Sequence, residues 1–403
     1  MRTRFVFPRL ALFPLAAALG SMPGAAQGSA PIVAKFRLDH NRLIVDAEMR
    51  KPGGGWRPVK LWLDSGIAGF TASPGLAAEM GLRDSGSGPA VEIRAGGAAL
   101  DLSGLRETAV DATAWLLPSA GADATLTTSV LRRYDVLIDF PASAIELHPP
   151  GRMPRRGRRI SAAIDPRTGV AQVDLSIGGE ALSLAVDLGA SYTFVDGGFL
   201  DPLAASRPEW PGYVGPAGCA NMWGYWPARE DTWKVYRLPS VVLGSGEAAI
   251  AIEGLGVVSL PPEILGGLGS WYSAKTSRRV EGFLGPNAFK AFRVGIDYAG
   301  GALYLERTGA FDDRDMDLVP VGVRMQGDGS WAVFDVARRK GRPLTAALVP
   351  GDRLVSIDGA PVKGLSMGRV VDALRGTPGS RREIVVLRDG KELRLLVATV
   401  RLL

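Results

Sequence analysis

Two carboxylates stand where paired acid–base chemistry would need them. The apolar run Val59-Lys-Leu-Trp-Leu leads straight into Asp64-Ser65-Gly66, and Leu182-Ser-Leu-Ala-Val leads into Asp187-Leu188-Gly189. Each aspartate would end a strand, on a turn that its glycine permits. Either loop alone would be read as a turn former, since Asp-x-Gly is a common turn tripeptide. Two such loops at equivalent positions of a repeat read differently, because packing about a pseudo-twofold axis brings equivalent loops together. Carboxylates held that close cannot both ionise cheaply, so the pair keeps one proton over part of the acidic-to-neutral range and titrates as a unit. The ionised member can take a proton from a water between them while the protonated member donates to a peptide carbonyl oxygen. Amide hydrolysis would then need no metal, no cofactor and no covalent intermediate.

The elements that must position these loops occur twice in the same order. The first copy, about residues 33–150, holds Leu43-Ile-Val-Asp-Ala, the Asp64 loop, and a closing run Leu131-Arg-Arg-Tyr-Asp-Val-Leu-Ile-Asp139-Phe140 through Leu147. The second, about 160–306, holds Val170-Ala-Gln-Val-Asp-Leu-Ser-Ile-Gly-Gly, the Asp187 loop, and Phe289-Lys-Ala-Phe-Arg-Val-Gly-Ile-Asp297-Tyr298 through Leu305. Asp64 and Asp187 are 123 residues apart and Asp139 and Asp297 are 158 apart, so the second copy carries about 35 additional residues between its signals. These are expected around Pro208 to Trp233, where Trp210, Tyr213, Trp223, Tyr225, Trp226 and Trp233 crowd together. Such rings could line a cleft, bind a polymer, or simply pack the insertion onto the body. Short Val-, Ile- and Leu-rich runs punctuated by Gly and Pro read as strands joined by tight turns, giving a mainly β body.

Leu-Trp-Leu-Asp64-Ser65-Gly66 and Ala-Val-Asp187-Leu188-Gly189-Ala-Ser are similar to the apolar-Asp-Thr/Ser-Gly signatures of pepsin/retropepsin-type aspartic proteases. Gly282-Phe-Leu-Gly285-Pro-Asn resembles the apolar-apolar-Gly segment that threads behind the catalytic loop in that family. The resemblance covers about 33–306 and implies a tandem pair of retropepsin-like β-barrel lobes. Asp64 and Asp187 would be catalytic, with Ser65, Gly66, Gly189 and Gly285 supporting their loops. Two departures bear on activity. Leu188 has no hydroxyl where relatives carry Thr or Ser, so one or two cross-loop hydrogen bonds of about 1 kcal/mol each would be missing; Leu126-Thr127 stands where the second copy has Leu284-Gly285.

After a charged link near Asp312 to Asp317, residues 318–402 resemble a PDZ domain. The match runs through Val319-Pro-Val-Gly322-Val, the strand Trp331 to Val336, Leu348-Val-Pro350-Gly351-Asp352-Arg-Leu-Val-Ser-Ile-Asp358-Gly359, the helical Ser366 to Arg375, Pro378-Gly379, and Ile384-Val-Val-Leu-Arg388-Asp389-Gly390. Such domains take a peptide as an added strand. The resemblance implies a terminus-binding loop at Val321, Gly322 and Val323, and a groove between Trp331–Val336 and Ser366–Leu374; a purely packing role is the other reading.

Of 403 residues, 46% are hydrophobic and 22% charged, ordinary for a globular chain of two or three domains, while 52 Gly and 28 Pro favour turns over long helices. Arg2, Arg4 and Arg9, the apolar Leu10–Gly20 and the small residues Gly24-Ala25-Ala26 read as a signal peptide over 1–26, with a membrane anchor as the alternative; the apolar stretch is short for a span. Removing those arginines lowers the formal charge from +6 to +3, which argues against nucleic acid or anionic membrane as partner. Cys219 is the only cysteine, so no internal disulfide forms, and His40 and His148 are too few for a His-built metal site. The expectation is a periplasmic or secreted protein acting on polypeptide, monomeric by default. A dimer pairing Asp64 with Asp64 of a second chain is the alternative.

Overall fold

A computed structural model describes residues 30–82, 91–103, 105, 108–109, 116–215, 218, 232–262, 266, 273–274, 276 and 278–403. The signal-peptide reading, Cys219, Trp223, Tyr225 and Trp226 fall outside these residues.

Six antiparallel strands form the base of the molecule. They are β1 (Ile32–Asp39), β5 (Asp135–Asp139), β6 (Ala144–His148), β7 (Arg158–Ile164), β14 (Phe292–Asp297) and β15 (Ala302–Arg307). Their order across the sheet is β1-β6-β5-β14-β15-β7. At its centre β5 meets β14, with Leu137 opposite Gly295 and Asp139 opposite Arg293. Every residue of β5 is buried, which is why Asp135-Val-Leu-Ile-Asp139 reads as a continuous apolar run closed by acids at both ends rather than as an alternation. One end is tied by Arg293, whose guanidinium donates to Asp139 at 2.8 Å and to Glu306 at 2.6 Å.

From this base each half of the body rises by the same route. The first half of β1 pairs with β6, and its second half turns away to pair with β2 (Arg42–Arg50); β2 pairs with β3 (Trp56–Asp64), and β3 runs parallel to β4 (Ala124–Thr127). In the other half β7 leaves β15 to pair with β8 (Ala171–Ile177), which pairs with β9 (Glu180–Val186), which runs parallel to β13 (Gly282–Leu284). The second half adds a long hairpin of β11 (Lys234–Leu243) and β12 (Ile250–Leu260), while β10 (Thr193–Asp196) lies parallel to β12. One apolar core spans both halves, from Phe36, Leu61 and Leu126 through Val136 and Ile296 to Leu184, Leu188 and Leu284.

The C-terminal domain is a sheet of β16 (Val321–Met325), β17 (Trp331–Val336), β18 (Arg353–Ile357), β19 (Arg381–Arg388) and β20 (Lys391–Ala398), in that order. A helix, Met367–Leu374, lays Met367, Val370, Val371 and Leu374 into its core, the spacing of one helical face. The Pro350-Gly351-Asp352 turn is fixed by Arg388, which grips both oxygens of the buried Asp352 at 2.7 and 2.8 Å. Burial alone would raise that carboxyl, but the Arg388 and Val349 hydrogen bonds hold it below its usual range.

This domain is packed onto the body, and the charged link is part of the joint. Met316, Leu318, Ala337, Leu402 and Leu403 share a core with Tyr192, Phe194, Tyr213 and Trp233. Asp315, within the charged link, is 1% exposed and ion-paired to the buried Arg237 at 2.8 Å. Val214, of the strand Gly212–Val214, pairs with Arg338 across the joint. Tyr213 and Trp233 of the aromatic segment are therefore core residues, and Trp210 is partly buried against the main core.

Candidate active site

The Asp64 and Asp187 loops meet. Ser65, only 2% exposed, donates its hydroxyl to Val186 C=O at 2.8 Å and accepts the Leu188 N–H at 2.9 Å, so one side chain ties the two loops by two hydrogen bonds. The contact continues at Gly189, where a Cβ would stand 2.5 Å from Cγ of Asp64 and within 2.8 Å of both its oxygens. A side chain there would displace the Asp64 carboxylate, and the constraint comes from that neighbour rather than from a left-handed backbone.

Each carboxylate is oriented by its own loop. Oδ1 of Asp64 accepts the Gly66 N–H at 2.9 Å. Oδ1 of Asp187 accepts two, from Gly189 at 2.9 Å and Ala190 at 3.0 Å. Asp187 is 6% exposed, whereas Asp64 is partly open to solvent. Among the described residues, no group of three or more His, Cys, Asp or Glu side chains is placed to hold a metal ion.

Behind the loops the two halves solve one problem with different residues. In the second, Asp187 N–H donates to Leu284 C=O at the end of β13, and Gly285 follows. A Cβ on Gly285 would fall 2.2 Å from the Tyr192 carbonyl oxygen, so the chains cross too closely for any side chain. Its N–H donates to Thr193 Oγ1 at 3.2 Å, which donates to Asn287 Oδ1 at 2.9 Å. In the first half, Asp64 lies level with Thr127 across β3 and β4. Thr127 is fully buried, donating its hydroxyl to Ala68 C=O at 2.9 Å, and Thr128 donates its N–H to Ile67 C=O at 3.0 Å while its hydroxyl lies between the carbonyls of Ile67 at 2.8 Å and Thr168 at 2.5 Å. The threading glycine is replaced there by hydroxyls that hold the stretch just after Gly66. Leu188 is fully buried in the main core, so hydrocarbon fills the place of the reciprocal hydroxyl.

In the C-terminal domain the structure corrects the assignment of the groove. Val321, Gly322 and Val323 lie within strand β16, paired to β17, and are not a loop. Trp331–Val333 of β17 are flanked by β16 on one side and by Asp352–Leu354 on the other, so β17 cannot be the open wall. The outermost strand on that side is β16. The segment before it, Leu318–Val319, runs along the C-terminal end of the helix, with Val319 N–H donating to Leu374 C=O at 2.9 Å. The short apolar run around Pro320 left the strand's start ambiguous; Val-Gly-Val reads equally as a turn.

Residues missed in the sequence are those of the hairpin turn between β1 and β2, Asp39-His40-Asn41. Asn41 donates its side-chain N–H to Ser191 C=O at 2.9 Å, at the far end of the Asp187 loop. Asp-His-Asn-Arg signals only a tight two-residue turn, since nothing local marks what a turn will touch.

A family model for the PDZ domain matches residues 337–388, and the chain carries a PDZ domain there. Among solved structures, the chain is similar to a photosystem II D1 C-terminal processing protease, 26% identical over 22% of this chain and 24% of that one, with a TM-score of 0.20. It is also similar to the PDZ domain of a carboxy-terminal protease from Vibrio cholerae, solved in complex with peptide. That match is 22% identical over 21% of this chain and 93% of that one, with a TM-score of 0.19. This chain thus spans about a quarter of the first protein's length. No curated protein matches.

Proposed function

We propose that the protein is an aspartic-type endopeptidase built from two retropepsin-like lobes, with Asp64 and Asp187 activating a water between them and the PDZ domain binding polypeptide. The single observation that carries this reading is the junction of the two Asp-x-Gly loops: Ser65 bonded to both sides of Asp187, and the Asp64 carboxylate seated against Gly189. Two carboxylates so placed share a proton, which provides the base for water and the acid for the peptide oxygen within one site. The backbone N–H groups on Asp187 stabilise its ionised form, and the partial opening of Asp64 gives substrate and water a way in. Release from a signal peptide into the periplasm or beyond fits a hydrolase that would otherwise meet the cell's own proteins.

A second reading, a protease-like scaffold that binds peptides without cutting them, is favoured by Leu188, which removes one side of the hydroxyl exchange between loops. Cleavage of an unfolded protein by the mature chain between acidic and neutral pH separates the two. The expected result is cutting in acid that withstands chelators and serine-acylating reagents. A well-folded chain that cuts nothing selects the scaffold, and inhibition by a serine reagent overturns the paired-carboxylate chemistry.

A further inference from the structure

The β1–β2 turn joins the PDZ helix to the Asp187 loop. On one side the Asp39 carboxylate accepts the Gly368 N–H at 2.9 Å and the Ser366 hydroxyl, capping the helix Met367–Leu374 from outside its own domain. The approach is backbone against backbone, because a Cβ on Gly368 would lie 2.5 Å from the His40 nitrogen. On the other side Asn41 holds Ser191 C=O, and the His40 ring stands edge-on to Tyr192, centroids 5.6 Å apart. Asp39, His40 and Asn41 are 3, 6 and 7% exposed. His40 and Asn41 adopt φ of 51° and 66°, a left-handed pair that fixes the direction in which the Asn41 amide leaves the turn.

We propose that Asn41 is a positioning residue for the Asp187 loop, and that the PDZ helix, through Asp39, sets where Asn41 stands. The inference rests on reading Asp64 and Asp187 as the reacting pair. The two loops are supported by different residues: Thr127 and Thr128 hold Ala68 and Ile67 after Asp64, with Thr128 also reaching Thr168 C=O of the other half, whereas the stretch after Asp187 takes Ser65 and Asn41 from the other half beside Thr193 of its own. The two N–H groups that orient the Asp187 carboxylate belong to Gly189 and Ala190, directly before the carbonyl that Asn41 grips. Movement of the turn therefore reaches the Asp187 loop through the Asn41 bond to Ser191 and the His40 ring against Tyr192. The PDZ domain becomes a brace for one half of the site as well as a peptide binder.

The test uses the full mature chain with Asn41→Gly, Asn41→Asp and Asp39→Ala. Asn41→Gly keeps the left-handed turn and removes the amide. Asn41→Asp keeps the shape but sets an oxygen against the Ser191 carbonyl. Amide exchange of residues 188–192 is expected to quicken in all three, and kcat to fall about fivefold with KM within about twofold, as for loss of one hydrogen bond. Asp39→Asn recovers most of both, because its amide oxygen still accepts from Gly368. Unchanged exchange and kcat in the two Asn41 variants, or a lowered melting temperature alone, overturns the proposal. If the wild type cuts nothing, the catalytic reading fails, and exchange at 188–192 alone decides whether the brace exists.

Discussion

Replacing Ser65 by alanine tests the tie between the loops. The substitution removes one oxygen from a site that is 2% exposed and takes a partner from each of two backbone groups, Val186 C=O and Leu188 N–H. A buried polar group deprived of its partner costs about 1–3 kcal/mol, so two such groups cost about 3 kcal/mol together, allowing for partial relaxation. At about 2–4 °C per kcal/mol for a body of this size, the melting temperature should fall by roughly 6–12 °C. Activity should fall further than stability, since the hydroxyl holds the Asp64 loop to the backbone on both sides of Asp187 and a misplacement of about 1 Å can cost on the order of 100-fold. Thermal unfolding followed by circular dichroism, with cleavage measured well below the transition, reads both. Ser65→Thr keeps the oxygen and should hold within about 1 kcal/mol of wild type. A melting temperature unmoved in Ser65→Ala would mean that the hydroxyl does not join the loops, and the reasoning would be refuted.

Three further substitutions have defined outcomes, two at the loops and one in the base sheet. Gly189→Ala puts a methyl into the Asp64 carboxylate, a side chain that can swing aside, so the fold should survive and cleavage should be lost; Gly285→Ala drives a methyl into the Tyr192 backbone and should unfold the second half, both read by unfolding beside activity. Burial, and then the Asp297 charge opposite, push the Asp135 carboxyl above its ordinary value. A raised carboxyl favours the fold at acid pH and loses that contribution as pH rises through its folded-state value. Asp135→Asn should therefore raise the melting temperature near neutral pH and change it little in acid; the opposite pH trend would contradict the assignment.

Much of the site was legible because its determinants are local. A strand that ends in Asp-x-Gly states where a carboxylate will stand, and the ordered repetition states that a second will stand opposite. The structure brings the two loops into contact, joined by the Ser65 hydroxyl. Leu188 was read as a missing hydroxyl, and it is also a buried core residue, so restoring a polar group there would expose the core to an extra desolvation cost. Thr127 was read as a lost glycine, whereas its hydroxyl takes over the loop contact. Local signals could not reveal the docking of the C-terminal domain. Asp312 to Asp317 reads only as a charged link, because Arg237 and Arg401, its ion-pair partners, are brought to it from distant strands. For the same reason β16 read as a loop, because its pairing with β17 is settled by the sheet and not by Val-Gly-Val itself.

The most direct test of the paired-carboxylate site is cleavage of an unfolded protein in acid by the wild type, Asp64→Asn and Asp187→Asn, each shown to be folded. Both single variants should lose essentially all cutting while keeping the wild-type structure. If either one retains it, the two carboxylates do not act as a pair.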